Sequence, residues 1–151
     1  DVQAIVHSHS PAVIPFGITG TGLRAVSHMG GFLGTSTPIF EIREAGGPAT
    51  DMLIRDRMLG AALARSLNAS PYALMRGHGS VAVGESIKQV VYRAIYAEFN
   101  ARLQADALRL GPINYLTEEE ALGAMRANDA VIDRTWDLWT SMVARKRRRR
   151  S

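Results

Sequence analysis

The stretch Asp1-Val2-Gln3-Ala4-Ile5-Val6-His7-Ser8-His9-Ser10-Pro11 decides how the chain is read. Val2, Ala4, Ile5 and Val6 make a strand-like apolar run with no turn or cap before it. Two histidines stand two apart where the run ends. Side chains at i and i+2 of a strand leave the same face, so His7 and His9 can meet one ion. Ser10-Pro11 then reads as a cap and first turn of a short helix. Because the chain opens inside this element, we expect it to be the later part of a longer domain, with further sequence upstream of Asp1.

Working outward, strands and helices alternate. Residues 38–42 read as a second strand, 44–48 as a loop, and Thr50 as the cap of a helix with Leu59, Ala62, Leu63 and Leu67 on one face. A third strand covers 72–75, and Arg76-Gly77-His78-Gly79 turns into a fourth over 80–83. Ser86 with Gln89 has the capping-box pattern. It opens a long helix in which Ile87, Val91, Ile95, Phe99 and Leu103 recur every four residues, until Gly111-Pro112 stops it. Thr117 and Glu120 form a second such box, after which Ala121, Met125, Ile132, Trp136, Trp139 and Val143 keep helical spacing. Interleaving of this kind predicts an α/β chain with helices flanking a sheet.

Composition narrows the function. A chain of 151 residues is long enough to bury roughly two thirds of its unfolded surface, and 46% hydrophobic with 21% charged residues excludes wholesale disorder. No apolar run approaches the ~20 residues of a membrane span, and Asp1-Val2-Gln3 lack the basic-then-apolar layout of a secretory signal, so a cytoplasmic protein is the default expectation. Zero cysteines exclude disulfides, thiolate metal sites and a cysteine nucleophile. The net charge of +4 looks like that of a nucleic-acid binder until it is mapped. Six of the 18 basic residues lie in 145–150, so residues 1–144 carry 12 basic against 14 acidic residues. We therefore divide the chain into a domain over 1–144 and a basic, disordered tail over 145–151, and expect neither a nucleic-acid nor a membrane partner.

Chemistry then rests on four histidines. His78 follows a strand, as the His7/His9 pair does, and its neighbours Gly77 and Gly79 permit close backbone approach. Three neutral imidazoles with an open fourth position match a catalytic zinc site better than a structural one. A His-x-His pair alone reads equally well as one satisfied and one exposed histidine; the third strand-end histidine moves the balance toward metal. His28 reads as a polar loop residue. Trp136 and Trp139 read as packing or interface groups. The glycines at 30, 31 and 34 lack P-loop or dinucleotide spacing.

The stretch 1–10, followed some 70 residues later by Leu74-Met75-Arg76-Gly77-His78-Gly79 and a long helix, resembles the class II aldolase/adducin family. The resemblance runs from Asp1 to about Leu122. It implies a three-layer α/β/α sandwich whose N-terminal part precedes this chain, assembled as a homo-oligomer, a tetramer first. It implies His7, His9 and His78 as ligands of a divalent ion, zinc first and manganese second, and makes His28 a substrate-facing residue. It also implies an acid/base glutamate and phosphate-binding loops upstream of Asp1, and a late tyrosine as proton donor to a neighbouring subunit's site, for which Tyr92, Tyr96 and Tyr115 are the candidates. The implied activity is a metal-dependent carbon–carbon lyase. Such an enzyme cleaves an aldol, or decarboxylates a hydroxy-substituted acid, through an enolate that the ion stabilises as a Lewis acid. Substrates are then sugar phosphates or hydroxylated carboxylic acids. Met29 and Gly30 stand where the family's epimerases carry an aspartate, which argues against epimerase chemistry. The patterns over 8–17 and 92–96 look closer to the decarboxylase branch, represented by the enzyme acting on 3-hydroxy-2-methylpyridine-4,5-dicarboxylate. The alternative is a non-catalytic, adducin-like assembly module, whose sign would be loss of the metal histidines.

Overall fold

The computed structural model describes the backbone of residues 2–148 and the side chains of 2–146. Four strands, β1 (Ala4–Ser8), β2 (Ile39–Phe40), β3 (Tyr72–Met75) and β4 (Gly79–Gly84), form one sheet in the order β1-β4-β3-β2. β4 pairs antiparallel with both β1 and β3, and β2 runs parallel to β3. The helices are α1 (Ile42–Gly46), α2 (Arg57–Leu67), α3 (Ile87–Leu110), α4 (Glu118–Ala130) and α5 (Ile132–Arg148).

Strand alternation assigns each face of the sheet. Tyr72, Leu74 and Ala82 point to one side, where they pack with Val90, Ala97 and Phe32; α3 lies on this side, across β1 and β4. Ala73 and Val81 point to the other, against Leu67 of α2. Helices therefore cover both faces, giving the expected α/β layering around a mixed sheet.

Several boundaries differ from the sequence reading. The second strand is only Ile39–Phe40 because the Glu41 carboxylate accepts from Arg43 N and caps α1, which takes residues expected to be strand and loop. Helix α2 starts at Arg57 rather than after Thr50, capped by Asp56, whose carboxylate accepts from Leu59 N at 2.8 Å. Ser10 does cap the next turn, accepting from Val13 N, but Ile14–Gly17 is a 3-10 turn, as is His28–Leu33 in the Gly-rich connection. The Ser86 box is half formed: its hydroxyl accepts from Gln89 N, whereas the Gln89 side chain accepts from Glu85 N. The Thr117/Glu120 box is complete. The last helical stretch breaks at Val131 into α4 and α5. Helix α5 runs on to Arg148, so residues 145–148 of the basic run are helical rather than disordered, while 149–151 lie outside the described residues.

Helix α3 departs most from its apparent pattern. A strict four-residue repeat advances about 40° per step on an α-helix, so Ile87 and Leu103 end up about 160° apart and cannot share one buried face. Ile87, Ile95, Phe99 and Leu103 are indeed exposed. The buried face follows the true 3-4-3-4 spacing through Val90, Arg93, Ala97, Asn100 and Gln104. Its polar members hold backbone. Asn100 accepts from Val26 N and donates to Arg24 O, and Gln104 accepts from Arg24 N and donates to Gly22 O. The pair acts as a strand edge for an extended segment that has no strand beside it.

Candidate functional site

The three histidines named by sequence converge. His7 lies on β1, His9 one residue beyond that strand's end, and His78 in the three-residue loop between β3 and β4. Their ring centroids are 4.6, 4.8 and 4.9 Å apart, and their ligand nitrogens lie within 4.8 Å of one another.

Local chain geometry creates this meeting. Gly77 has φ +64 at the turn, a conformation that L side chains rarely adopt, and His78 N closes the turn on Met75 O at 3.0 Å. Gly79 opens β4, and a Cβ there would stand 2.2 Å from Ser8 O and 3.1 Å from the His9 ring. Absence of that carbon lets the end of β1 close onto the hairpin.

Each ring has an orientation suited to ligation. His7 Nδ1 lies 3.0 Å from Ser80 O. A carbonyl only accepts, so Nδ1 carries the proton and Nε2 keeps the lone pair, facing His9 Nε2 at 2.8 Å. His78 Nδ1 is buried without a hydrogen-bond partner, the kind of orphan that a metal or ligand satisfies. Burial of the His78 ring, and then the neighbouring His7 and His9, lower its pKa and favour the neutral form that binds a cation. The donor set, three imidazoles and no thiolate, fits a divalent ion with positions left open for substrate oxygen.

The cluster borders a cavity of 490 Å³ lined also by Ile5, Leu53, Ile54, Arg55, Leu63, Met75 and Val81. Residues 53–55 come from the connection between α1 and α2, which the sequence had placed in a helix. In that connection Met52 has φ 68, unusual for a bulky residue. The sequence signal for this wall was the Gly47-Pro48 break together with Asp56, the residue that caps α2.

His28 is not brought to the cavity. It opens the 3-10 turn over α4, where Asn128 Nδ2 donates to its carbonyl at 2.9 Å and approaches its ring at 3.5 Å. The tyrosines are also engaged elsewhere. Tyr92 is buried and donates to Met29 O, Tyr96 stacks with Tyr92 and Trp139, and Tyr115 lies under the Arg24 guanidinium at 3.8 Å. Trp139 is a packing group, as its spacing suggested.

Residues 1–105 match the family model of the class II aldolase and adducin N-terminal domain. The chain is 40% identical over 164 residues to the decarboxylase tropJ of Talaromyces stipitatus, a match covering 95% of this chain and 62% of that one. It is 30% identical over 113 residues to a 3,4-dihydroxyphthalate decarboxylase of Arthrobacter keyseri, covering 74% and 44%. The fold superposes on an L-fuculose 1-phosphate aldolase with a TM-score of 0.69 at 19% identity, over 85% of this chain and 57% of the other. The chain thus spans between two fifths and two thirds of the length of these relatives. With the histidines, the sheet and the family model all in agreement, the chain belongs to the class II aldolase and adducin family.

Proposed function

We propose that the chain is part of a divalent-metal-dependent decarboxylase that acts on a hydroxy-substituted carboxylic acid. The observation that carries this reading is the convergence of His7, His9 and His78 at a cavity with otherwise mostly apolar walls. A divalent ion bound there, zinc before manganese, supplies Lewis-acid stabilisation of charge developing on substrate oxygen.

The protein's own residues supply the rest. Ser80 O fixes the His7 tautomer, and the Gly79 approach sets the His9 ring beside it. Leu63, Met75 and Val81 strip water from a carboxylate lying against them. An unpaired carboxylate charge is costly in such surroundings, and loss of neutral carbon dioxide moves that charge away from the apolar wall into the rest of the substrate. The electron pair of the broken C–C bond stays on carbon and delocalises toward the conjugated oxygen. A proton then takes the place of the departed carbon dioxide, delivered by a general acid. No carboxylic acid or tyrosine lines the cavity among the described residues, so the acid in this proposal comes from outside it, from a neighbouring subunit or from sequence upstream of Asp1.

The two decarboxylase relatives support this choice over aldol cleavage. The test is the product. Zinc-loaded protein given sugar phosphates and hydroxylated aromatic acids in parallel is expected to release carbon dioxide from an acid of the second group. Formation of a carbonyl fragment from a sugar phosphate would assign aldolase chemistry instead. We further propose that the working unit is a homo-oligomer, a reading supported by the exposed stripe of Ile95, Phe99 and Leu103 on α3.

A further inference from the structure

We propose that Glu41 is a positioning residue of the metal centre and holds, through the Arg76 guanidinium, the loop that carries His78. The proposal rests on the metal-centre reading above and concerns how that loop is fixed.

The three imidazoles are not secured alike. His7 is oriented by Ser80 O, and the His9 ring sits against Gly79. His78 Nδ1 has no hydrogen-bond partner, so the place of its ring follows from the place of its backbone. That backbone belongs to a loop of three residues between β3 and β4. The far end of the loop is well held, because Gly79 pairs with Met75 and packs on Ser8 O. The near end, at Arg76, leans on β2, which offers two paired positions, Ile39 with Leu74 and Phe40 with Met75. On the outer side, a Cβ at Gly77 would meet Met52 Cε at 3.2 Å and Ile18 Cγ2 at 3.7 Å. Apolar contacts of this kind fill space without fixing direction.

Glu41 carries the link between β2 and β3 one residue further. Arg76 N donates to Phe40 O at 3.1 Å, and Glu41, next along the chain, brings Oε2 to 2.6 Å from Arg76 Nε. Glu41 is itself immobilised. Its Oε1 accepts from Arg43 N and from Arg43 Nε, each at 3.0 Å, and its Oε2 accepts from Arg43 Nη2 at 2.6 Å. A carboxylate that caps α1 and receives a guanidinium in the same plane has little freedom left, so Arg76 is held against a fixed post. The Arg76 and Glu41 side chains keep 28% and 22% of their exposure. A pair that water still reaches contributes little to global stability. Its effect on His78 is therefore separable from its effect on the fold.

The test measures zinc affinity of the full-length protein by competition with a chromophoric chelator, and the visible spectrum of its cobalt-loaded form. Glu41→Gln and Arg76→Gln are each expected to weaken zinc about tenfold, at the lower end of the range for changes around a ligand, and to shift the cobalt spectrum in the same way. The double variant should be no weaker than either single one, because both break the same link. Arg76→Lys should recover part of the loss. Ser86→Ala, which removes the cap of α3, is the control for lost stability and should leave zinc affinity and spectrum unchanged. Both positions of the pair are partly exposed, so these variants are expected to fold. Unchanged zinc affinity and spectrum in the two single variants overturn the proposal and leave the metal-centre reading intact. So do additive losses in the double variant, or an equal loss in Ser86→Ala. Failure of the wild type to bind zinc overturns the metal-centre reading, and the proposal with it.

Discussion

A side chain at position 79 would collide with the backbone that carries the site. The Ser8 carbonyl has no flexible end to move aside, so Gly79→Ala must separate β1 from β4 near the histidines. We expect a loss of about 1–3 kcal/mol in chemical denaturation, an overpacking cost, together with weaker zinc binding by titration. Glu41 acts on the same loop from the other side. Its carboxylate pairs with Arg43 and with Arg76, the residue that begins the His78 hairpin. The Arg43 hydrogen bond leads in lowering the Glu41 pKa from 4.5 to about 2. The lowered value means that the folded state favours the ionised carboxylate, so this contribution is present above about pH 4.5 and fades as pH falls toward 2. Glu41→Gln should flatten stability over that window and leave it unaltered in shape near neutrality, as read by denaturation at stepped pH. The triad His7, His9 and His78 was legible because strand periodicity and glycine-flanked loops are local signals. Arg55 was not, because a charged residue before a helix looks the same whether or not it faces a cavity.

Among elements, β3, β4 and the ends of α3 follow the sequence closely, since Gly, Pro and Ser caps punctuate them. Helix α3 shows where lettering misleads. Its apolar residues spiral outward while Asn100 and Gln104 turn inward to serve the backbone of residues 22–26. No composition rule marks an amide as buried when its partner is a chain segment far away in sequence. Asn100→Leu should therefore destabilise the fold by about 1–3 kcal/mol for each backbone group left unpaired, measured by urea denaturation, even though it makes the helix more apolar. The break at Val131 was equally silent, with neither Gly nor Pro there. Its reason is tertiary: α4 packs on the 3-10 turn His28–Leu33 and α5 on α3, so the chain must change direction between them. Residues 145–148 are helical because they extend an existing helix, which needs no new nucleus.

At the scale of the molecule, helices on both faces of one sheet place the imidazoles on the α2 side and leave much of α3 uncovered. Among the described residues, no helix is long and apolar enough to cross a membrane. We propose that a second copy of this chain covers the exposed Ile95, Phe99 and Leu103. Phe99→Ser with Ile95→Ser should lower the mass seen by light scattering while leaving zinc content unchanged; an unaltered mass would place the contact elsewhere. The central claim is the metal centre, and zinc titration of the refolded, chelator-treated protein tests it most directly. The account predicts about one zinc per chain. It predicts loss of more than about 100-fold in affinity for either His7→Ala or His78→Ala, beyond the roughly 10–100-fold typical of changes around a ligand, and no change for His28→Ala. Zinc bound equally well by the His7→Ala and His78→Ala proteins would contradict it.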